Sequence, residues 1–257
     1  MNIVVCLKSV PGIITDVSIG ETGDRLQPKA RSYYMNETDE YALDEALVLR
    51  KEIGGDVTAI TVGPLSSEEI LREALAKGAD KAMRIDMSSD DPATTSLVLA
   101  EAIRRMDFDL ILTGMESSDN LAAQVGIATA ERLGIPFLFA ATRIEITPAD
   151  KVASVTRESG GGIQEVVEVR LPALISTQTG IQPLTYAPVA KLIQARRQGV
   201  DSISLSSLGL DKESLREKIK WQFIEVTKPQ RRHTTEPMSG TPKEIALELI
   251  AKIREAL

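Results

Sequence analysis

One stretch decides the fold: residues 57–85, VTAITVGPLSSEEILREALAKGADKAMRI. Its short apolar runs at 57–62 and 82–85 are typical of parallel strands that are covered on both faces. Between the two runs, Ser66 and Glu69 have the capping-box spacing, an apolar stripe follows, and a glycine ends the pattern. Strand, helix and strand in this order predict a βαβ unit with a right-handed crossover.

The same alternation extends along the chain in both directions. Further strand runs lie at 3–7 and 108–112, and helical patterns lie at 41–53, after Asp91 and after Asp119. An aspartate directly before a helical pattern is a typical N-cap, so both aspartates are predicted caps. The sequence therefore predicts an α/β fold with a doubly wound, mostly parallel sheet.

Two regions depart from this alternation. The segment 9–38 interrupts the first crossover, and we predict a long loop or a small hairpin there. Later in the chain, 151–157 and 164–170 flank three consecutive glycines, and a further apolar run follows at 171–176. This second pattern predicts a β-hairpin followed by another strand.

Beyond residue 178 the pattern weakens until one last helix. No strong period is present up to about residue 240, which indicates an extended arm. A helix then begins at Thr241-Pro242 with both cap signals. Its apolar stripe consists of Ala246, Leu249, Ile250, Ile253 and Leu257. A helix of this kind needs a surface to pack on, either on the same chain or on a partner.

The composition excludes several classes of protein. Among 257 residues, 43% are hydrophobic and 26% are charged, which is typical of a globular chain. No apolar run approaches the roughly 18 residues that span a bilayer, so we do not expect a membrane-spanning protein. The formal net charge of -7 disfavours nucleic acid as a partner.

The scarce cysteine and histidine exclude further kinds of site. Cys6 and His233 are the single representatives of their types, so neither a disulfide, a CxxC pair nor a His-rich metal cage can form. We therefore expect no metal site. The start of the chain lacks the layout of a secretion signal, and together with the single cysteine this predicts a cytoplasmic protein.

One constellation stands out as a candidate binding site. Residues 114–120, GMESSDN, directly follow the predicted strand 108–112 and precede a predicted helix. In a doubly wound sheet, ligands bind beyond the carboxyl ends of the strands, and a helix N-terminus suits a phosphate. The alternative is that Gly114 only makes a turn and Asp119 only caps the helix.

A second group of residues lies on the same predicted edge of the sheet. Cys6-Leu7-Lys8 and Val62-Gly63-Pro64 follow the strand runs at 3–7 and 57–62. The chain has neither GxGxxG after its first strand nor a GxxxxGK[ST] loop, so the common dinucleotide and P-loop signatures are absent. Cys6 has no histidine nearby in sequence and is interpreted as a core residue. We identify no catalytic residue.

Several stretches resemble the beta subunit of electron transfer flavoproteins. They are MNIVVCLKSVP at 1–11, LREALAKGAD at 71–80, TGMESSDNLAAQVG at 113–126, LPALIST at 171–177 and Tyr186-Ala187-Pro188 before a basic helix. The match is collinear over nearly the whole chain. Ser117-Ser118-Asp119 is similar to the version of the motif that serves methylotroph-style dehydrogenases.

The resemblance implies an adenine nucleotide alpha hydrolase-like (Rossmann-like) fold and a role as an electron carrier rather than an enzyme. Such a subunit forms a heterodimer with an alpha subunit that holds most of an FAD, and it buries a structural AMP. The heterodimer accepts electrons from a donor flavin dehydrogenase and passes them to a downstream acceptor.

The resemblance also assigns residues. The AMP site would consist of Cys6, Asn36, Val62, Gly114, Ser117, Asp119, Asn120, Ala123, Gln124 and Val125. The anchor that docks the donor dehydrogenase would be Val189, where much of the family has leucine. Ile13 and Thr38 fall where some relatives place aromatic residues near the FAD of the alpha subunit.

The domain division follows from this resemblance. Residues 1–177 would form the nucleotide-binding α/β domain, including the hairpin and strand at 151–177. Residues 178–257 would form the docking loop, the extended arm and a C-terminal helix that packs on the alpha subunit.

Three alternatives are weighed against this interpretation. One is a bifurcating relative that binds a second FAD in place of AMP and oxidises NADH. That class usually has AIDGDTAQVG where this chain has SSDNLAAQVG, although Ala123-Gln124-Val125-Gly126 is shared. The second is a stand-alone nucleotide-binding module of the universal-stress type, which rarely carries a hairpin and an arm after residue 150. The third is an ATP-dependent adenylating enzyme, which would have a glycine-rich loop after the first strand.

Overall fold

The computed structural model describes the chain except residues 13–16, 21–25, 29–31, 90, 212, 216–224, 226, 228–236 and 257. Ile13 lies outside the described residues. The chain divides into two compact units, of which the first comprises 1–17 and 28–222 and the second comprises 18–27 and 223–257.

The strands are β1 (Asn2–Cys6), β2 (Ser9–Pro11), β3 (Val17–Ile19), β4 (Leu26–Pro28), β5 (Tyr33–Met35), β6 (Asp56–Gly63), β7 (Lys81–Asp86), β8 (Leu110–Gly114), β9 (Phe137–Thr147), β10 (Val152–Glu158), β11 (Gln164–Arg170), β12 (Ala173–Thr177) and β13 (Asp201–Ile203). The helices are α1 (Glu37–Ile53), α2 (Glu68–Lys77), α3 (Pro92–Ile103), α4 (Val125–Leu133), α5 (Val189–Ala195) and α6 (Pro242–Ala256).

The first unit is built on a nine-stranded sheet with the order β11-β10-β9-β12-β8-β1-β6-β7-β13. All neighbours from β9 to β13 in this order are parallel, and only β10 pairs antiparallel, with β9 and β11. The predicted α/β fold with a mostly parallel sheet is confirmed. After β7 the chain returns to the other side of β1 to form β8, so the winding direction reverses between β1 and β8.

The core lies on both faces of this sheet. Successive residues of a strand point to opposite faces, and β1 divides accordingly. Ile3 and Val5 belong to the cluster that includes residues of α1 and α2, whereas Val4 and Cys6 belong to the cluster that includes residues of α3 and α4. Because helices cover both faces, the central strands β1, β6 and β8 are apolar over most of their length, which is why they are readable in the sequence.

Several predicted elements are confirmed. The four strand runs appear as β1, β6, β7 and β8, and the glycine-linked hairpin appears as β10 and β11. Asp91 caps α3, because its carboxylate accepts hydrogen bonds from the amides of Ala93 and Thr94 at 2.9 Å each. Within the segment 9–38, β2 pairs antiparallel with β5, as a hairpin requires.

Other predictions are wrong. A 3-10 turn at Leu65–Ser67 precedes α2, whose N-cap is Ser67, so Ser66 and Glu69 do not form a capping box. Helix α4 begins at Val125 rather than after Asp119, because the chain between them is held in a non-helical conformation.

Two strands were not predicted, β9 and β13. β9 changes partner along its length, pairing parallel with β12 near Phe137 and antiparallel with β10 from Ala141 onward. It therefore lacks one uniform burial pattern. β13 is a three-residue strand that pairs with β7 at the edge of the sheet.

The second unit contains α6. Its N-terminus is capped as predicted, since Glu244 Oε2 accepts hydrogen bonds from the Thr241 amide and hydroxyl, each at 2.8 Å. Large apolar side chains of α6 are exposed, namely Leu247, Leu249, Ile250 and Ile253. In the part of the chain that the structure describes, no helix is long and apolar enough to cross a membrane.

Candidate functional site

A cleft opens at the carboxyl ends of β1 and β8, where the winding direction of the sheet reverses. We call it the switch-point cleft. Its walls are residues 6–8 after β1, Val62 of β6, residues of the 113–126 stretch, and Pro92, Thr95 and Leu99 of α3. Its volume is about 780 Å³ when the open mouth is included. This is the position at which open α/β sheets bind ligands.

Most residues that the resemblance assigns to AMP line this cleft. They are Cys6, Val62, Gly114, Ser117, Asn120, Ala123, Gln124 and Val125. Asn36 and Asp119 do not line the cleft: Asn36 contacts the loop that forms its wall, and Asp119 is a residue of that loop and contacts Lys8. The structure thus brings together residues separated by up to 119 positions in sequence.

Asp39, which the sequence analysis did not identify, holds the two strands at the base of the cleft. Its carboxylate accepts the amide of Lys8 at 2.8 Å and the amide of Gly114 at 3.0 Å. Burial raises the pKa of Asp39 to about 7, against the lowering effect of these hydrogen bonds. An acidic residue in the first turn of a helix usually complements the helix dipole, so this second role has no signal in the sequence.

Gly114 is required by the close approach of α1. A Cβ at this position would lie 2.2 Å from Thr38 Oγ1 and 2.7 Å from the backbone nitrogen of Asp39. Real Cβ atoms do not approach backbone atoms so closely. The glycine therefore serves packing as well as the turn that the sequence suggests.

The residues before and within α1 fix the loop after β8. Asn36 is buried, its amide group donates to the carbonyl of Glu116 at 2.8 Å, and its oxygen accepts the amide of Ser118 at 3.1 Å. The Thr38 hydroxyl donates to the same Glu116 carbonyl at 2.6 Å. The side chains of Asn36 and Thr38 therefore fix the path of the loop that forms the cleft wall.

Asp119 binds a lysine instead of capping a helix. Lys8 Nζ lies 2.6 Å from Asp119 Oδ1 and 3.1 Å from Ser117 Oγ. Ser117 in turn donates to Asn120 Oδ1 at 2.8 Å. The cation of Lys8 is therefore held directly beside the hydroxyl and amide groups of the 117–120 loop.

Residues 122–126, which lead into α4, line the cleft. Leu121 and Ala123 have φ of 50° and 51°, the left-handed region that non-glycine residues rarely adopt and that concentrates at functional sites. Gln124, the N-cap of α4, then returns to the right-handed region. A left-handed residue followed by a right-handed one makes a concave group of amides suited to an anion, and the first turn of a helix adds further amides.

One polar group of the cleft wall has no protein partner. Thr113 is 6% exposed, and its hydroxyl oxygen has no hydrogen bond among the described residues. It faces Gly126 of α4, where a Cβ would lie 3.1 Å from it. Buried hydroxyls normally have a partner, so this one indicates a ligand or an ordered water in the cleft.

Cys6 contributes a buried wall to the cleft. Burial, with a smaller effect from the nearby Asp39 carboxyl, raises the pKa of its thiol well above the ordinary value. The thiol is therefore protonated at neutral pH and unsuited to nucleophilic attack. Within the described ranges, His, Cys, Asp and Glu side chains form no group that could hold a metal ion.

Val189 lies in a different place, at the first residue of α5. It is 72% exposed, Tyr186 before it is 93% exposed, and Ile193 one helical turn later is also exposed. Lys191, which lies between Val189 and Ile193, is exposed as well. Residues 186–193 thus form an exposed apolar surface with basic character, which we call the 186–193 segment.

Comparison with known proteins identifies the family. A family model described as electron transfer flavoprotein domain matches residues 29–207. An electron transfer flavoprotein subunit beta of Bacillus subtilis (strain 168) is 33% identical over 258 residues, which cover 99% of this chain and 98% of the relative. The chain belongs to the electron transfer flavoprotein beta-subunit family. The resemblance noted in the sequence is confirmed.

Further relatives in this family match over nearly the same length. The electron transfer flavoprotein subunit beta of Methylophilus methylotrophus is 29% identical over 99% of this chain and 98% of the relative. The caffeyl-CoA reductase-Etf complex subunit CarD of Acetobacterium woodii is 33% identical, with the same two coverages of 99% and 98%. The family model includes Asn36, the 113–126 stretch and the 186–193 segment, whereas β1 and α6 lie outside it.

Proposed function

We propose that this chain is the beta subunit of a heterodimeric electron carrier. It pairs with an alpha subunit that holds most of an FAD, takes electrons from a flavin dehydrogenase and passes them to a further acceptor. The FAD supplies the redox chemistry, and this chain supplies binding and docking surfaces rather than a catalytic group. The observation that carries the proposal is the switch-point cleft, whose polar groups are held in place by hydrogen bonds. The membership of the chain in the electron transfer flavoprotein beta-subunit family supports the same proposal.

In this proposal the cleft holds AMP. The amides at Ala123, Gln124 and Val125 provide hydrogen-bond donors for the phosphate, and the positive end of the α4 dipole favours its charge. Ser117 and Lys8 lie on the same wall and add a hydroxyl and a cation. The unpartnered Thr113 hydroxyl supports the fit, because a bound ligand would supply the missing partner.

The adenine base fits the apolar part of the cleft. Cys6, Val62 and Leu99 come from β1, β6 and α3 and line the cleft together. A flat aromatic base buries apolar surface against such walls, and each square ångström removed from water contributes roughly 25 cal/mol. Phosphate and base would thus be bound by different elements of the fold.

The AMP has a structural role in this proposal. Asp39 is the buried carboxyl at the base of the cleft, and its oxygens already accept two backbone amides. It holds the strand ends together instead of acting on a phosphate. A ligand that binds only the folded state stabilises it by linkage, which is the expected contribution of AMP to the heterodimer.

A second candidate is a bifurcating beta subunit with a second FAD in the cleft and NADH as electron donor. The 33% identity with the CarD subunit of a reductase-Etf complex favours it, as does the shared Ala123-Gln124-Val125-Gly126. The 117–121 sequence SSDNL, in place of the AIDGD pattern of that class, favours AMP. The two candidates differ in the nucleotide that the cleft holds.

The remaining surfaces would contact other proteins. The 186–193 segment would dock the donor dehydrogenase through Val189, and Thr38 would lie near the FAD of the alpha subunit. The apolar side chains of α6 would pack on the alpha subunit, because an ordered arm must offset roughly 1–2 kcal/mol of backbone entropy per residue. The predicted division at residue 177 stays part of this proposal.

Counting nucleotides tests the proposal. The chain is co-expressed with an alpha subunit, the purified heterodimer is extracted with acid, and AMP and FAD are quantified per heterodimer. We expect one AMP and one FAD, and no stoichiometric FAD on the isolated chain. Two FAD and no AMP would favour the bifurcating candidate, and neither nucleotide in the cleft would refute both.

A pair of variants locates the AMP. Ser117→Ala combined with Gln124→Ala removes two side chains of the cleft wall and should lower the AMP content of the purified heterodimer. Ser159→Ala combined with Gln164→Ala makes the same two changes at the β10–β11 hairpin and should leave it unchanged. Equal AMP content in all three proteins would place the nucleotide elsewhere.

A further inference from the structure

A buried lysine joins α1 and α2 close to the 186–193 segment. Lys77, the last residue of α2, has a side chain that is 1% exposed. Its Nζ lies 2.9 Å from Asp44 Oδ2 and 2.8 Å from Glu40 Oε1 on α1. A buried ammonium group is stable only with such partners, so the two helices are fixed against each other at this point.

The same aspartate also holds the chain just before the 186–193 segment. Asp44 has a side chain that is 3% exposed. It accepts the amide of Thr185 at 2.8 Å through Oδ2 and the hydroxyl of Thr185 at 2.8 Å through Oδ1. Thr185 directly precedes Tyr186. A single carboxylate therefore connects a buried cation with the start of an exposed surface.

Neighbouring contacts fix the same stretch. The buried carboxyl of Glu45 hydrogen-bonds with the side chain of Gln182. We call residues 182–185 the stem. At the other end of the segment, Ala195 of α5 is buried, and α5 packs on α2. The exposed surface is therefore held at both ends by α1 and α2.

We propose that Asp44 is the positioning residue of the docking surface: held by Lys77, it fixes Thr185 so that Tyr186 and Val189 are presented to the donor dehydrogenase in one conformation. This inference rests on the proposed docking role of the 186–193 segment. A preordered apolar surface binds more tightly than a mobile one, because the entropy of ordering is not lost on binding. Pro183 and Pro188 restrict the backbone on both sides of Thr185 and have the same effect.

The test compares two aspartates with the same kind of partners. In Asp44→Ala, Lys77 keeps Glu40 as a partner, and the amide and hydroxyl of Thr185 lose their acceptor. Asp80→Ala is the matched control, because Asp80 accepts Arg50 at 2.7 Å and the amide of Val57 at 2.8 Å, remote in sequence from the stem. Thr185→Val removes only the hydroxyl contact at an exposed position and keeps the fold available if Asp44→Ala does not assemble.

Each variant is purified as the heterodimer with the alpha subunit. The donor is the enzyme that reduces the wild-type heterodimer fastest in a panel of purified flavin dehydrogenases. We measure the KM for the heterodimer and kcat, with dithionite reduction as the measure of intact flavin. Hydrogen exchange of peptides that cover residues 184–195 reports the order of the segment directly.

We expect Asp44→Ala to raise KM roughly tenfold, which corresponds to about 1.4 kcal/mol, with kcat and dithionite reduction unchanged. Thr185→Val should raise KM less, and both variants should exchange faster at 184–195. Asp80→Ala should change neither KM nor the hydrogen exchange of residues 184–195.

Unchanged KM and unchanged exchange in Asp44→Ala, or in Thr185→Val if only that variant assembles, would overturn the inference. If Val189→Asp also leaves KM unchanged, the docking proposal itself fails; if Val189→Asp raises KM, only the role of Asp44 is refuted.

Discussion

The switch-point cleft and the 186–193 segment differ in how their side chains are held. Around the cleft, Asp39, Asn36 and Lys8 are held by hydrogen bonds at 2.6–3.1 Å to other residues of the chain. In the 186–193 segment, Tyr186 and Val189 are exposed, and the ordering contacts lie at its ends. A preset, buried site suits a ligand that stays bound, whereas a small exposed apolar surface suits a partner that must leave quickly.

The difference extends to charge. The cleft is lined by the buried carboxyl of Asp39 and by Lys8, which is paired with Asp119, and the start of α4 lies on the same wall. The 186–193 segment has an apolar centre with Lys191 beside it, which is the arrangement of a transient protein contact with a charged rim. Changes in the cleft should therefore affect nucleotide content and stability, and changes in the segment should affect electron delivery.

The largest effect is expected at Gly114. Gly114→Val would force side-chain atoms against Thr38 and Asp39 and should separate α1 from β8. Overpacking of this kind costs roughly 1–3 kcal/mol, and the loss of AMP would add to it. We expect a lower thermal midpoint and no AMP after acid extraction. Gly199→Ala is the control, because a Cβ there meets nothing within 4 Å; AMP retained in Gly114→Val would contradict the cleft assignment.

The next effect concerns the second unit. Deleting residues 241–257 removes α6 with its exposed apolar side chains, and we expect weaker binding to the alpha subunit. The first unit should keep its fold, which circular dichroism of the truncated chain can check. Affinity is measured by titrating one subunit with the other. Unchanged affinity would show that α6 does not contact the alpha subunit.

Val189→Asp tests the other region of the comparison, the 186–193 segment. A charge in the centre of the apolar surface should raise the KM for the heterodimer with the panel-selected donor roughly tenfold or more, and Val189→Ala should raise it less. AMP content, FAD content and dithionite reduction should all equal those of the wild type. A wild-type rate of electron delivery in Val189→Asp would place the docking site elsewhere.

The smallest expected effect is the pH dependence of stability that Glu45, a contact of the stem, contributes. Burial raises the pKa of Glu45 from 4.5 to about 7, with a smaller raising effect of Glu52 and a lowering effect of the Gln182 hydrogen bond. Between these two pH values the unfolded chain loses the proton while the folded chain keeps it, so stability falls as pH rises, and above about 7 the cost stays constant.

Glu45→Gln removes this cost. Its thermal midpoint, relative to that of the wild-type heterodimer, should rise from pH 4.5 to 7 and then level off. Asp39, whose pKa is also about 7, is present in both proteins and drops out of the difference. A difference that does not change with pH would contradict the buried state of Glu45.

The sequence predicts elements whose signals are local. Asp91 and Thr241 are read correctly because a cap bonds with amides two or three residues away. The four central strands are also read correctly, because burial on both faces gives each of them a short run of mostly apolar residues. Elements set by distant partners are different, and β9 is missed because it pairs parallel at one end and antiparallel at the other.

The cleft is predicted in outline but not in its supports. The rim residues Cys6, Val62 and Gly114 follow from their place after strands, whereas Asn36 and most of the α4 amides come from the family resemblance. Asp39 is missed because its partners, the amides of Lys8 and Gly114, are 31 and 75 residues away. The late start of α4 is missed because Leu121 and Ala123 adopt the left-handed backbone region, which leucine and alanine rarely adopt and which their residue types do not predict.

One measurement tests the central claim that the cleft holds a permanent, structural nucleotide while the 186–193 segment makes transient contacts. The heterodimer is turned over with its donor dehydrogenase in the presence of excess isotope-labelled AMP, and the labelled fraction of protein-bound AMP is followed. We expect one AMP per heterodimer that neither exchanges nor is consumed over many turnovers. Entry of label at the rate of electron transfer, or conversion of the bound AMP to another nucleotide, would contradict the account.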